Sequence, residues 1–345
     1  MFLDRLTIPQ IIIITFLGIL VFLAIYAGIP VTGLLSDSMV RLAMNGVLVL
    51  SLLPMLKAGI GINYGLPVGI EAGLLGMCLA VNYRFTGFSG LCIAFLAASL
   101  VAIVFGYLYA LILNRVRGKE EIAGVFIGFS VVMAMNFFWA VAPFSNPAML
   151  WPIGGQGMRP TIGLTPYFAK VLNGMGIVNC GGIAIPIGFL VFFSLIALLL
   201  GYFFRTKTGL ALTAVGENEK FCRLNGIRVN HIRTLAIILS TVLAALGICF
   251  YAQSYGFIEL YEAPLMMAFP AASAVLLGGS LTGKASIAQA IIGTFLFHTV
   301  YVFSGPIANN LLIPEVSEII RVIIANGIIL YALLYQEERS RHAQN

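Results

Sequence analysis

Of 345 residues, 60% are apolar and only 9% charged, against about 25% charged in an ordinary soluble domain, so neither a hydrated globule nor a disordered chain fits the composition. A mean hydropathy of +1.03 leaves a polytopic membrane protein; its apolar runs are long and unalternating, which makes it all-α and excludes a transmembrane barrel. The net charge of +6, nineteen Lys and Arg against thirteen Asp and Glu, is read as basic residues retained on one side of a bilayer, not as a nucleic-acid surface.

In chain order, Asp4 and Arg5 precede an apolar run from Ile8 to Ile29. That run exceeds the 7–15 residues of a signal-peptide core and is predicted to be a retained first span. With about 17 apolar residues per crossing, regular spans are predicted at 39–57, 88–113, 122–142, 181–204, 234–256 and 317–335. Less regular ones fall at 64–81, 264–279 and 284–303, for about ten in all within one transmembrane domain, 1–345. Ten crossings with both ends in the cytoplasm place fourteen of the nineteen basic residues inside and five (Arg41, Arg84, Arg159, Lys170 and Arg321) outside. That is the asymmetry expected of a correct topology. The cell location is then a bacterial cytoplasmic membrane, crossed many times.

Two loops are long. Segment 143–180 is predicted external, with Trp151 and Tyr167 suited to an interfacial element and a short helix over Tyr167–Leu172. Its Arg159 and Lys170 are candidates for pairing with acidic groups of an external protein, or are simply solvated. Segment 205–233 is predicted cytoplasmic. Neither is long enough to hold a soluble catalytic domain.

Two spans are interrupted. Gly59-Ile-Gly-Ile-Asn-Tyr-Gly-Leu-Pro-Val-Gly-Ile-Glu71 carries four glycines and Pro67; Tyr261-Glu-Ala-Pro-Leu-Met-Met-Ala-Phe-Pro270 carries two prolines. Irregular backbone is tolerated in a membrane only where it is buried in protein or lines a cavity. One break follows the second span and the other the seventh, and each resolves into a similar phrase, Gly73-Leu-Leu-Gly76 and Val275-Leu-Leu-Gly-Gly279. Paired interruptions point to a solute path and to an internal duplication; unrelated kinks serving packing remain the other reading. The path is expected to use Asn63, Tyr64, Glu71, Asn136 and Phe269. Glu71 either lines it or braces the freed backbone amides of its kinked helix. His298 reads as a core histidine before a ligand.

Chemical motifs fail. Gly278-Gly-Ser-Leu-Thr-Gly283-Lys284 begins like a phosphate-binding loop, but Ala285 stands where a hydroxyl must hold magnesium, and the segment joins membrane spans. The three histidines are dispersed, the five cysteines show no CxxC spacing, and no nucleophile–base arrangement can be placed. No metal site, no cofactor and no enzymatic chemistry is expected of the chain itself.

The internal loop reads Arg205-Thr-Lys-Thr-Gly-Leu-Ala-Leu-Thr-Ala-Val-Gly-Glu-Asn-Glu-Lys-Phe-Cys-Arg-Leu-Asn-Gly-Ile227. Glu217-Asn218-Glu219 suits a helix start, with its two acid side chains favoured there, Phe221 and Leu224 form an apolar face, and Gly226 suits a stop. This stretch resembles the cytoplasmic loop of ABC importer permeases of the branched-chain amino acid, ribose and nucleoside type. Arg205, Thr206, Gly209, Ala211, Leu212, Ala214, Gly216, Asn218, Gly226 and Ile227 match that loop, while Phe221-Cys222 replaces its usual small pair. Ala274-Val-Leu-Leu-Gly-Gly-Ser-Leu-Thr-Gly283 is similar to a second family segment, and Asn63 stands where the family usually has Asp.

The resemblance implies a type II importer permease moving a small polar solute such as a sugar, nucleoside, branched-chain amino acid or vitamin. It implies a second permease subunit, an external solute-binding protein and two cytoplasmic ATP-binding subunits. The ATPase would seat on a coupling helix over 213–227, through Gly216, Glu217, Asn218, Phe221, Arg223, Leu224 and Gly226. An ion-gradient-driven transporter is the alternative; it calls for more intramembrane carboxylates than Glu71 alone and leaves the loop without a task.

Overall fold

The computed structural model describes residues 8–152, 155, 157–279, 285–311 and 327. Among them, the predicted first nine spans appear as helices: α1 (Ile8–Tyr26), α2 (Val31–Leu50) continued by α3 (Leu53–Lys57), α4 (Leu66–Asn82), α5 (Gly87–Leu113), α6 (Glu120–Val141), α8 (Ile187–Arg205), α11 (Val229–Tyr255), α12 (Ala268–Leu277) and α13 (Ile287–Leu311). Six are long and apolar enough to cross a membrane, namely α2, α5, α6, α8, α11 and α13. Apart from residue 327, the predicted tenth span, 317–335, lies outside the described residues, as do Lys284 and most of the loop before it.

Helix α4 is the axis of the bundle. Most of its side chains are buried, and it packs on α5, α6 and α11. Small residues make that approach close. A Cβ on Gly73 would fall 2.3 Å from Ile248 and 2.6 Å from the Ala245 carbonyl of α11, and one on Gly76 would fall 2.3 Å from the Ala98 amide of α5. Such small-residue seams let membrane helices meet backbone to backbone. Helix α5 turns Ala94, Ala98, Ala102 and Gly106 inward at four-residue spacing, while Leu96, Leu100, Val104 and Leu108 are exposed on the opposite stripe. In a bilayer that exposed stripe is the lipid face.

The molecule has two unlike ends, here called cap and foot. At the cap, β1 (Thr161–Gly163) pairs antiparallel with β4 (Phe257–Glu259), and β2 (Ile177–Cys180) with β3 (Ile183–Pro186). Between β1 and β2 lies α7 (Val171–Gly174), so the helix expected at Tyr167–Leu172 is displaced: Thr165–Lys170 is turn. Met149, Met158, Ile162, Leu164, Phe168 and Leu172 are fully buried there. At the foot, α9 (Lys207–Glu217) and α10 (Glu219–Leu224) lie beside the start of α11. With about 1.5 Å of rise per residue, α11 connects the two ends.

Several boundaries differ from the sequence reading, the seventh span starting at Val229 and the ninth running on to Leu311. The second span begins at Val31, not 39, and Pro54 restarts it as α3. The sixth begins at Ile187, because 177–186 forms a β-ribbon. The eighth splits into a 3-10 turn, Ala263–Met267, and α12. The earlier start of the second span moves Arg41 from the outer loop set into the body of α2. Cys78, Cys222 and Cys249 are buried, Cys92 and Cys180 exposed, and all five are free.

Candidate functional site

The break after α3 is held rigidly. Gly59 and Gly61 take φ of +67° and +107°, a left-handed backbone that favours glycine. The Ile62 amide donates to Glu121 Oε1 of α6 at 2.8 Å. Asn63 Nδ2 donates to Ser240 Oγ of α11 at 2.9 Å, and its Oδ1 accepts from the Tyr109 hydroxyl of α5 at 2.9 Å. Asn63 is therefore a brace tying the break to two helices, α5 and α11, its amide group occupied on both sides.

Tyr64, next along, meets Phe269 of α12 with ring centroids 5.7 Å apart. The two interrupted segments thus touch through two of the expected path residues. Phe269 also lines a cavity of about 570 Å³ bounded by α2, α11, the β4–α12 connection and α13. Its polar wall holds Arg41, Asn45, Tyr251, Glu259, His298 and Tyr301; Leu48, Met266, Met267 and Phe297 supply much of the rest. That volume and mixture suit a small solute. The Arg41 guanidinium lies over the Tyr301 ring, 5.4 Å from its centroid. His298 is buried, edge-on to Phe297 at 5.3 Å.

Glu71 and Asn136 stand elsewhere. Glu71 is 0% exposed on α4 beside Trp139 of α6, outside the cavity lining. Neither carboxyl oxygen is within hydrogen-bond geometry of a partner among the described residues, the neighbouring Trp139 indole N–H being likewise unpaired. Asn136 lies on α6, half-buried, with Nδ2 against Met133 Sδ at 3.9 Å. The cavity residues that the sequence reading missed, Arg41 and Glu259 above all, carried a usable signal. An arginine within an apolar helix is costly and marks function, but the late start assigned to the second span hid it.

At the foot, the single helix expected over 213–227 is two. Thr206 caps α9, accepting from the Gly209 amide at 3.2 Å, and Asn218 turns the chain and caps α10, accepting from the Phe221 amide at 2.9 Å. Gly226, at φ +80°, ends the element. On α10, Cys222 points inward, whereas Phe221 and Leu224 are 62% and 88% exposed. Glu219 pairs with Arg117 and with Arg223, the latter at 2.7 Å. Although partial burial works the other way, the Arg117, Arg233 and Arg223 charges hold the Glu219 carboxyl below the usual carboxylate range. Deeper in, Arg233 of α11 pairs with Glu120 of α6 at 2.5 Å, both buried, and its Nε donates to Asn114 Oδ1 at 3.2 Å.

Gly216 sits differently from the expectation. A Cβ there would fall 2.0 Å from the Lys57 carbonyl and 2.9 Å from the Gly59 amide. It is the seam between α9 and the broken segment of the same chain. Glu217, one residue on, is exposed. At the cap, Arg159 Nε is bound to the Leu150 carbonyl at 2.6 Å, while Lys170 is exposed with φ +54° and its amide on the Gln253 carbonyl at 2.6 Å.

A curated relative, the autoinducer 2 import system permease protein LsrC of Yersinia enterocolitica, is 36% identical over 115 residues, covering 32% of this chain and 31% of that protein. The chain thus matches about a third of that relative's length. Among solved structures, an inward-facing metal-chelate type ABC transporter superposes with a TM-score of 0.45 at 15% identity, over 86% of this chain and 85% of that one. Residues 6–334 match the family described as branched-chain amino acid transport system / permease component, and by that near-complete match the chain belongs to this permease family.

Proposed function

We propose that the chain is the membrane-spanning, non-catalytic subunit of an ATP-driven, binding-protein-dependent importer of a small polar solute. In this reading the foot and both termini face the cytoplasm, two ATP-binding subunits supply the work, and a second permease subunit completes the path. An external solute-binding protein meets the cap, where Lys170 is exposed, as Arg84 is, and Arg159 stiffens the loop. The observation that carries the proposal is the exposed pair Phe221 and Leu224 on α10. Two large apolar side chains facing outward from a short, capped, ion-paired helix are a docking face for another protein.

The contacts behind α10 suit transmission. α9 joins α10 at Asn218 and packs by Gly216 on Lys57–Gly59; the same segment ends in Tyr64, against Phe269 of the cavity. A partner that binds α10 differently in two nucleotide states has an unbroken packed route to the solute space, and rigid bundles then rock between openings. An ion-gradient mechanism assigns the apolar pair no partner.

Replacement of Leu224 by Asp tests this. Leu224 touches solvent, so the variant should elute and melt like the wild type, while capture of the ATP-binding subunit and ATP-dependent uptake fall at least about tenfold, a loss of about 1.4 kcal/mol in association. Unchanged capture by Leu224→Asp together with Phe221→Asp would remove the docking role.

A further inference from the structure

We infer that a cleft of about 710 Å³ at the foot is a binding site for a phosphate-bearing anion, such as the headgroup of an acidic phospholipid. The inference goes beyond the permease reading and takes from it only the cytoplasmic placement of the foot.

The cleft lies where membrane-long helices end or begin. Arg117 enters it from the turn between α5 and α6, Arg223 from α10, Ile227 and Arg228 from the connection to α11, and Asn230 and His231 from the first turn of α11. Hydrogen bonds fix this frame. Arg117 donates from one terminal nitrogen to Glu219 of α10 and from the other to Asn230 of α11, and Arg223 donates to Glu219 at 2.7 Å.

Three guanidiniums and no carboxylate line the cleft. Arg117 and Arg223 share the single charge of Glu219, and Glu120 is taken by Arg233. The Arg228 side chain is exposed and has no ion-pair or hydrogen-bond partner among the described residues. Three positive charges thus meet one negative charge. A phosphate group answers that excess with its own charge and with several acceptor oxygens, which the fork of arginine matches through paired hydrogen bonds. The backbone works in the same direction. Helix α11 starts without a side-chain cap, and the amides of Val229 and Asn230 have no partner among the described residues. The positive end of a long helix reinforces what the arginines attract.

Position favours a headgroup as the source of the phosphate. The two helices that the Arg117 turn joins expose Leu111, Ile112, Ile122 and Phe126 near that turn, a surface for acyl chains. Basic clusters at cytoplasmic helix ends recruit anionic lipids by this chemistry. The site also leaves the docking face of α10 free. At about 100° per residue, Glu219 and Arg223 share one side of the helix, and Phe221 and Leu224 occupy another. An anion held by Arg223, Arg228 and the start of α11 ties α10 to α11, so lipid composition sets how firmly α10 is held.

The test uses the purified full chain and native mass spectrometry. One arm offers phosphatidylglycerol and phosphatidylcholine with identical acyl chains in equal amounts; the other offers glycerol 3-phosphate with phosphatidylcholine alone. The wild type should retain phosphatidylglycerol in preference, because choline already neutralises the phosphate of the other lipid. Arg228→Gln and Arg223→Gln should each lower the preference about fivefold, the worth of one arginine near an anionic surface. Arg228→Lys should keep part of it, and Arg228 is unpaired, so its variants should fold as the wild type does. Arg115→Gln and Lys119→Gln remove exposed charges from the same turn but outside the lining, and should leave the preference unchanged. Retention of glycerol 3-phosphate that the cleft variants abolish, without preference between the lipids, keeps the site and makes its ligand a soluble phosphate compound. Equal retention of both lipids with no glycerol 3-phosphate bound overturns the inference. So does a preference that ignores the cleft variants, or one that Arg115→Gln and Lys119→Gln lower as much. Capture of an ATP-binding subunit without retention of either probe defeats this site alone; cleft-dependent retention in a chain that captures no such subunit defeats the importer reading alone.

Discussion

Cap and foot are built from the same chain and finished in opposite ways. At the cap, the sequence closes on itself: β1 pairs with β4, Asn146 donates to the Val81 carbonyl at 2.7 Å and to the Tyr167 hydroxyl at 2.8 Å, and Phe168 and Leu172 are buried. At the foot, apolar side chains face outward and the helices are held by ions: Arg117–Glu219, Arg223–Glu219 and Arg233–Glu120. The cap also turns apolar groups outward, among them Trp151, Ile177, Val178 and Phe257, but on loops tied by backbone pairing, whereas Phe221 and Leu224 stand on a short helix held by ion pairs. The difference separates a hydrogen-bonded end from an ion-paired one.

The comparison breaks most readily at the buried ion pair. Arg233→Met leaves Glu120 charged, buried and unpaired, and loss of one partner of such a pair costs about 3–5 kcal/mol. The double variant Arg233→Met, Glu120→Leu removes both charges and should recover most of that loss. Hydrogen exchange should rise at the foot, in α9, α10 and the start of α11, and stay low at Phe168 and Leu172. A rise of equal size at both ends would mean that the ends do not open separately.

Gly216→Val comes next. Its side chain would enter the Lys57 carbonyl, where the neighbour is backbone and cannot rotate away. Overpacking of this kind costs about 1–3 kcal/mol. The expected signature is a lower melting temperature together with weaker Tyr64–Phe269 packing, read from cross-linking of cysteines placed at 64 and 269. Full thermal stability in this variant would place the seam outside the packed route.

How much of this was legible depends on how far a cause reaches along the chain. Local signals worked: Gly59, Gly61 and Pro67 marked the break, and Asn218 ahead of Phe221 and Leu224 marked a capped helix with an outward apolar face. The β1–β4 ribbon was invisible, because three-residue strands nearly a hundred positions apart carry no periodicity of their own. Gly216 was assigned to a partner's groove because its spacing in the loop says nothing of the Lys57 carbonyl behind it. Glu71 drew attention as an intramembrane carboxylate and proved sealed between α4 and α6. Arg41 escaped because α2 starts at Val31, earlier than its hydropathy suggested, since Ser36, Asp37 and Ser38 dilute the run.

The gentlest probe of the foot is proton concentration. Glu219 is the shared anchor of Arg117 and Arg223, and its carboxyl is held below the ordinary range by those charges. A group whose folded value is depressed contributes stability that is fully present above the unfolded value, about 4.3 for glutamate, and is lost as pH falls through the folded value. Between neutrality and about pH 5 the foot should therefore hold its ion pairs unchanged, and α10 should loosen only in stronger acid. Because Glu219 is a third exposed, salt screens its pairs, and the effect should shrink as ionic strength rises. Site-directed labels on α10 and on the cap, titrated together, check this: α10 should become mobile in acid while the cap, whose closure is hydrogen-bonded and apolar, does not follow. Mobility that changed near neutral pH, or that Glu219→Gln left acid-sensitive, would place the titrating group elsewhere.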